Sequence, residues 1–482
     1  MKDPRPVVNI IGVLVMALGA AMLVPMALDF VEGAAHWKVF LESAIVTFVA
    51  GGMLTLATAN SVGAGLSVQQ VFMLTSGVWA VLPFFGAIPF FLGAPHASFT
   101  DAYFEAMSGL TTTGTTVFVG LDDMPAGTLL WRGILQWLGG LGIVIVAMVF
   151  LPLMRVGGMQ FFQTEGFDTL GKVLPRAIDI SSALIRVYVL LTVLCATAYL
   201  GLGMTGLEAT VHALTTMSTG GFSTSDKSFG LFQGPAEYVA ALFMFLASLP
   251  FVRFIQLLSG DARPLWRDVQ VRAYLRWTAY AVAAIVIYRM AVFATPFEPA
   301  LRETVFNVVS LFSGTGYGSE DITAWGPFPF TVIIIIGLVG GCTSSTACSV
   351  KVFRYLVLFE AIRAQIRRLY SPNRVVNMRL GRQPLAEDVV NSVLVFFTLF
   401  MLSFAGLTVL LDLAGLSTET ALTASWTAIA NIGPAFGPGV GPTGAVDAFP
   451  AAAKWLMVGG MYVGRLELLA VLVLFLPKFW RA

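Results

Sequence analysis

The chain has 482 residues, of which 57% are hydrophobic and only 11% charged, with a mean hydropathy of +0.83 and a formal net charge of +1. A soluble globular protein carries about 25% charged residues, so this composition excludes one and points to a polytopic membrane protein. The near-neutral balance leaves no footprint for nucleic acid, and the basic residues gather in loops instead of on one binding face.

Runs of about 20 apolar residues are read as helical spans. A basic start at Lys2 and Arg5 leads into residues 7–30, too long for a signal-peptide core and without a clean small-x-small cleavage site, so a retained span is expected. With 37–59 it forms a hairpin, in which Gly51 and Gly52 suit close helix packing. One order of elements then occurs four times: a span, a short helix too polar and too brief to cross, a glycine turn, and a second span. The four sets are 68–92, 99–110, the Gly114 turn and 127–154; 184–204, 207–217, the Gly220 turn and 238–258; 274–293, 300–311, the Gly316 turn and 328 onward; and 389–413, 418–429, the Gly433 turn and 451–476. The expected organisation is an all-α membrane protein of about ten spans: a hairpin over 1–62, then repeats over 63–157, 158–262, 263–370 and 371–482.

The turns carry the functional signal. Thr111-Thr112-Thr113-Gly114-Thr115-Thr116 is a polar, glycine-centred hairpin between membrane-seeking segments. Lipid cannot satisfy the N–H and C=O groups of such a backbone, so at membrane depth it is tolerated only inside protein or against a water-filled cavity. Ser218-Thr219-Gly220-Gly221-Phe222, Ser313-Gly314-Thr315-Gly316-Tyr317 and Ala430-Asn431-Ile432-Gly433-Pro434 repeat the arrangement, with the glycines roughly every 100 residues. A single turn of this kind reads as a plain helix connection; four with the same flanks read as a pore lining with pseudo-fourfold symmetry.

Loop charge gives a topology. Arg155, Lys172 and Arg176 lie between repeats one and two; Arg253, Arg263, Arg267 and Arg272 between two and three; Lys351, Arg354 and the basic run Arg363, Arg367, Arg368, Arg374, Arg379 and Arg382 between three and four. The short-helix sides instead carry Asp101, Asp122, Asp123, Asp226, Glu298, Glu303, Glu320, Asp321, Asp412, Glu419 and Asp447. The positive-inside rule puts the N-terminus and the inter-repeat loops in the cytoplasm, with the four turns entering from outside.

A half-helix entering from outside turns its partially negative C-terminus to the membrane centre, where it favours a cation. The following turn can replace the ion's hydration shell with backbone carbonyls, and glycine permits the φ > 0 that turns neighbouring carbonyls to one axis. No carboxylate occurs within the turns. An ion-coupled solute symporter would need acidic residues in the spans and inverted repeats, whereas these repeats all enter from one side. A membrane enzyme would need a clustered acid, base, nucleophile or metal site. Cys195, Cys342 and Cys348 are instead read as small buried residues, and His36, His96 and His212 are too scattered for a metal cluster or proton relay.

The turns, together with Leu130-Trp131-Arg132, Gln136-Trp137-Leu138-Gly139-Gly140, Ser223-Thr224 after the second turn, and Gly340-Gly341-Cys342 leading to Ser349-Val350-Lys351, resemble the ion-translocating subunit of the Trk/Ktr/HKT potassium transporter superfamily, over essentially the whole chain. The leading hairpin resembles the TrkH branch. The resemblance implies a potassium filter formed by Thr112, Thr113, Gly114, Ser218, Thr219, Gly220, Gly314, Thr315, Gly316, Asn431, Ile432 and Gly433, with Gly114, Gly220, Gly316 and Gly433 as filter glycines. Plant relatives that transport sodium carry serine at the first of these positions, so Gly114 favours potassium. The fourth loop, with Asn431, Ile432 and Pro434, departs most, and weaker potassium-over-sodium discrimination or ion-coupled symport stands as the alternative.

Gly340, Gly341, Cys342, Thr343, Ser344, Ser345 and Thr346 are too flexible and polar to propagate a helix against lipid, and the resemblance makes them an intramembrane gate loop. Arg465 is an intramembrane charge without an intrahelical partner, since Glu467 falls on another face; it is expected to project below the filter as a barrier to cations. Lys351 is read as a pore-side charge or a cytoplasmic-end anchor. Arg132 and Arg289 are expected to snorkel in structural roles. The resemblance further implies the bacterial inner membrane, a homodimer and a cytoplasmic nucleotide-binding regulatory subunit of the TrkA type. The chain has neither a Walker loop nor a Gly-x-Gly-x-x-Gly after a soluble strand, so nucleotide binding is expected of that partner. The expected ion is potassium, with sodium or protons as possible companions, and no covalent cofactor is expected.

Overall fold

The computed structural model describes residues 3–61, 66–147, 158, 161, 177–373, 377–381, 383–466 and 468–480; Arg155, Lys172, Arg176, Arg374, Arg382 and Glu467, and the end of the span expected over 127–154, lie outside them. Helix dominates because each apolar run must satisfy its backbone internally to cross a membrane. Among the described residues seven helices are long and apolar enough to do so: Arg5–Val31, Trp37–Ala57, Val68–Leu92, Ala126–Ile145, Ser181–Gly201, Val269–Phe293 and Glu387–Leu413.

The remaining spans are interrupted, which corrects two of the expected continuous helices. The run 238–258 is two helices, Pro235–Ala247 and Phe251–Leu258, bent by 95°. Pro250 has no N–H to continue a ladder, so the backbone turns there. The run 451–476 is helical only over Ala451–Arg465, then turns at Leu466 into the short helix Leu469–Leu472 and two 3-10 turns. The third interruption is the expected one: Pro327–Val339 stops at Gly340, and helix resumes at Val352–Tyr370. A two-residue antiparallel pair, Arg379–Leu380 with Gln383–Pro384, is added to the otherwise helical described fold, closed by Gly381 at φ +62°.

In the leading hairpin the backbones cross at Gly12 and Gly51: a Cβ on Gly12 would lie 2.9 Å from the Gly51 carbonyl oxygen. Gly51 is therefore the packing residue, whereas Gly52 meets only the Met16 sulfur, 3.8 Å from an added Cβ. The hairpin docks on the first repeat through a buried carboxylate. Asp29 accepts the Gly127 N–H at 2.6 Å and pairs with His36 Nδ1 at 2.9 Å.

The four short helices, Phe99–Leu110, Gly206–Met217, Phe297–Ser313 and Thr418–Ala430, begin with local capping chemistry. Ser98, Thr205 and Ser417 accept the N–H three residues on, and Thr205 with Glu208 completes a capping box. The third helix starts three residues before the expected Ala300, because Pro299 in its first turn removes an N–H that would have no helical partner anyway. All four end where a glycine turn begins.

Candidate functional site

The turns share one backbone signature. Thr112, Thr219, Gly314 and Asn431 have φ of +51°, +51°, +76° and +51°; two residues on, Gly114, Gly221, Gly316 and Gly433 have +88°, +79°, +83° and +118°. The residues between, Thr113, Gly220, Thr315 and Ile432, do not have positive φ. Alternating hand along three residues turns successive carbonyls to the same side. Threonine in the left-handed region costs about 1–2 kcal/mol, and strain of this kind, repeated at equivalent positions, marks a functional backbone.

This register shifts the position expected for the glycine of the second turn. Gly220, named from the sequence, occupies the place of Thr113, and the equivalent of Gly114 is Gly221. The packing says the same. A Cβ on Gly114 would collide with the Gly220 carbonyl oxygen, one on Gly221 with that of Thr315, one on Gly316 with that of Ile432, and one on Gly433 would lie 3.1 Å from that of Thr113. Each turn thus seats its glycine against the next turn's carbonyl, and the fourth closes on the first. Thr115 Oγ1 donates to the Gly433 carbonyl at 2.6 Å and Asn431 Nδ2 to Thr113 Oγ1 at 2.8 Å, which join the ends of the ring. A cavity of ≈170 Å³ is lined by all four glycines, with Asp226 and Arg132 in its wall.

The second spans come close behind the ring because glycine lets them. A Cβ on Gly139 would collide with the Leu110 carbonyl, one on Gly464 with the Ile429 carbonyl, and one on Gly140 would lie 2.7 Å from Ser218 Cβ. Gln136 reaches the second turn, donating to the Gly220 carbonyl at 2.6 Å and accepting the Phe222 N–H at 3.0 Å.

On the other side of the ring lies the interrupted third repeat. Residues 340–351 are non-helical and, apart from half-buried Ser349, buried. Ser344, Ser349 and Lys351 are left-handed at φ +61°, +67° and +79°. The loop exchanges backbone bonds with the bend of repeat two: Cys342 N–H to the Ser248 carbonyl (2.9 Å), Phe251 N–H to the Ser344 carbonyl (2.9 Å), and Thr346 Oγ1 to the Ala247 carbonyl (3.1 Å). Thr343 N–H bonds Gln270 Oε1 at 2.9 Å, and Ser345 Oγ bonds the Cys342 carbonyl at 2.6 Å. Cys348 Sγ lies 3.6 Å from Thr112 Oγ1, so the loop abuts the ring. Lys351 is buried, with its N–H on the Val339 carbonyl at 2.8 Å, a placement at the loop's end within protein.

Arg465 meets the same sulfur. Its Nη1 is 2.6 Å from Cys348 Sγ, Nη2 donates to the Gly139 carbonyl at 3.2 Å, and the guanidinium sits 5.3 Å from the Trp79 ring centroid. It is 4% exposed, and among the described residues no carboxylate pairs with it and its Nε has no partner. All three cysteines are free and buried.

Several other buried charges have counter-ions. Arg132 and Arg289 do not snorkel: they are buried against Glu105 at 2.8 Å and Glu303 at 2.6 Å. Arg302 pairs with Glu237, which joins the third short helix to the second span of repeat two. Lys454 reaches Asp101 at 2.6 Å, joining repeat four to repeat one. Asp101, Glu105 and Glu303 lie in the short helices and Glu237 at the start of a second span; the Arg302–Glu237 and Lys454–Asp101 pairs tie neighbouring repeats together. Among the described residues no cluster of His, Cys, Asp and Glu could hold a metal ion.

A family model described as "TrkH: Cation transport protein" matches residues 36–482. The chain belongs to the TrkH family. The Trk system potassium uptake protein TrkI of Halomonas elongata is 40% identical over 99% of this chain and 97% of its own length. TrkH of Escherichia coli, also a Trk system potassium uptake protein, is 34% identical over 99% of both. Among solved structures, the crystal structure of the potassium transporter TrkH from Vibrio parahaemolyticus matches all of both chains with a TM-score of 0.91 at 28% identity. Membership in a family of cation transport proteins sets the enzyme reading aside, and the TrkH fold agrees with the repeated helical architecture expected above.

Glu105, Arg132, Gln136 and Cys348 were not singled out as site residues from the sequence, although Arg132 and Gln136 lie within quoted motifs and Cys348 directly precedes one. The nine-residue spacing from Glu105 to Gly114 recurs from His212 to Gly221, and would have marked the pore-helix position once the register was known.

Proposed function

We propose that this protein takes up potassium through a pore on the axis of the four turns. The observation that carries the reading is the closed ring, in which each left-handed glycine abuts the next repeat's carbonyl, in a chain whose relatives are named potassium uptake proteins. Thr112, Thr113, Gly114, Ser218, Thr219, Gly220, Gly314, Thr315, Gly316, Asn431, Ile432 and Gly433, with Gly221 added, form the filter, and main-chain oxygens replace the hydration shell. Each short helix brings a partial charge of roughly −0.5 at its C-terminus to that axis. Residues 340–346 with Lys351 form the gate, and Arg465 is the cation barrier under the ring.

The repeat boundaries near 62, 157, 262 and 370 follow from the same reading. So do an inner-membrane location with a cytoplasmic N-terminus, a homodimer, and a TrkA-type regulatory partner. The helix Val352–Tyr370 supports a docking role, since it exposes Arg363, Arg367 and Arg368 beside Ile362, Ile366 and Leu369. Weaker discrimination between potassium and sodium is the second reading. It is favoured by the fourth turn, where Ile432 precedes the glycine and Pro434 follows it.

The test is potassium against sodium flux in proteoliposomes, parent beside Gly114→Ser. Potassium-selective flux that loses selectivity in the variant is the expected result. Selectivity untouched by the substitution would put the ion path elsewhere and bring coupled symport forward.

A further inference from the structure

Nine residues before each ring glycine, the short helices carry Glu105, His212, Asn307 and Ala424. The first three reach the strand that leaves the ring. Glu105 accepts the Val117 N–H at 3.0 Å and the Thr116 hydroxyl at 2.8 Å. His212 Nε2 bonds Ser223 Oγ at 3.0 Å, and Asn307 bonds both the hydroxyl and the N–H of Ser319, at 3.0 and 3.4 Å. In repeat four the task passes to the neighbouring Thr423, which accepts the Phe436 N–H at 3.0 Å. Every repeat thus has a buried tether behind its filter strand, of four different chemistries.

The first tether alone is charged, and it spans two repeats. Arg132 donates Nε to Glu105 at 2.8 Å, Nη2 to Thr116 Oγ1 at 3.2 Å and Nη1 to the Ser223 carbonyl of repeat two at 2.9 Å, and its guanidinium lies 4.1 Å from the Phe222 ring centroid. Thr116 and Ser223 each stand two residues beyond their ring glycine, Gly114 and Gly221. One planar cation therefore fixes the separation of two filter strands. Both side chains are buried, Glu105 fully and Arg132 to within 1%. A buried ion pair is a poor source of stability, since an apolar pair of the same volume is often as good, but charge-assisted bonds from a rigid fork are short and directional.

We propose that Glu105 and Arg132 are positioning residues for ion discrimination, holding the first and second filter strands at the spacing that fits the dehydrated ion. The inference rests on the filter reading above, because a fixed spacing matters only if those strands line the ion path.

The test measures the potassium-to-sodium flux ratio, normalised to folded protein, in proteoliposomes of the parent, Arg132→Lys, the double variant E105Q/R132M, and Gly114→Ser as control. Lysine keeps the charge but lacks the fork, so it cannot hold Glu105, Thr116 and Ser223 together. The double variant removes the pair as a unit and leaves no buried unpaired charge. The expected result is a ratio lowered on the order of tenfold in both, the effect of losing one charge-assisted bond, with monodisperse protein. A ratio unchanged in Arg132→Lys and in the double variant, while Gly114→Ser lowers it, overturns the positioning role and leaves the filter standing. A ratio unchanged in all of them overturns the filter reading and this inference with it. If the double variant does not fold, Arg132→Lys decides by the same criteria.

Discussion

The register of the second turn is open to a direct test, because two adjacent glycines compete for one role. At Gly221 alanine meets two penalties. Its φ of +79° costs an L-residue about 1–2 kcal/mol, and its Cβ collides with the Thr315 carbonyl, a backbone oxygen of the ring with no side-chain freedom. Relief requires the ring to open by about 1 Å, and a misplacement of about 1 Å at a preorganised site costs about 100-fold. At Gly220 φ is not positive, and a Cβ meets the end of the Gln136 side chain, which can rotate away. The loss there is two hydrogen bonds, to the Gly220 carbonyl and from the Phe222 N–H, about 1 kcal/mol each, or roughly tenfold to thirtyfold together. Rubidium uptake into potassium-loaded proteoliposomes, with sodium as competitor, should therefore fall about 100-fold in Gly221→Ala and clearly less in Gly220→Ala. Gln136→Ala added to Gly220→Ala should not lower uptake further, since the bonds are already gone. Equal loss in the two glycine variants, or selectivity retained in Gly221→Ala, would refute the register.

Two further outcomes follow from the geometry beneath the ring. Arg465→Ala removes a positive charge with no carboxylate partner among the described residues; two like charges about 8 Å apart at an effective dielectric of about 20 repel by about 2 kcal/mol, so on the barrier reading potassium flux should rise by up to roughly thirtyfold. Flux unchanged in well-folded variant protein would make Arg465 a packing residue against Cys348 and Gly139. Shortening the loop within 341–346 should also raise flux in single-channel or tracer recordings, and flux at the parent level would remove the loop from the gate.

Elements written in local chemistry were legible before the fold was seen. The short helices were legible as runs too polar and too brief to cross, each ending at a glycine turn, and three of the four came within a residue of the expected bounds. The break at Gly340 was visible because Gly, Ser and Thr accumulate there. The break at Pro250 was not, because 238–258 is apolar on both sides of it, and hydropathy records transfer from water without recording direction. The choice between Gly220 and Gly221 depends on alternating backbone hand and on which carbonyl the next repeat presents, which no single turn contains. The Glu105–Arg132 pair lay beyond reach for a related reason: its partners are 27 residues apart, and only the crossing of a short helix with a span brings them together. Snorkelling was the reasonable expectation for an arginine near a span end, until a buried carboxylate replaced the headgroup region as its partner.

The two interruptions missed and seen are one structure. The bend at Ser248-Leu249-Pro250 frees carbonyls that a straight helix would have used, and the loop of repeat three brings N–H and hydroxyl groups that its own broken helix cannot satisfy. Each supplies the other's partners, and Gln270 supplies one more to Thr343. On the gate reading this buried, cross-bonded loop is the closed state, although Ser344, Ser349 and Lys351 are held left-handed, with strain of about 1–3 kcal/mol each. Moving the loop releases that strain but exposes every one of those groups, each costing about 1–3 kcal/mol if left bare. In a lipid-facing crevice the exchange would be prohibitive. Beneath a filter it is not, because the water that accompanies the ion can bond what the loop abandons. On the gate reading, opening and hydration are therefore the same event, and osmotic withdrawal of water should lower potassium flux in tracer recordings by favouring the closed loop, with the potassium-to-sodium ratio unchanged.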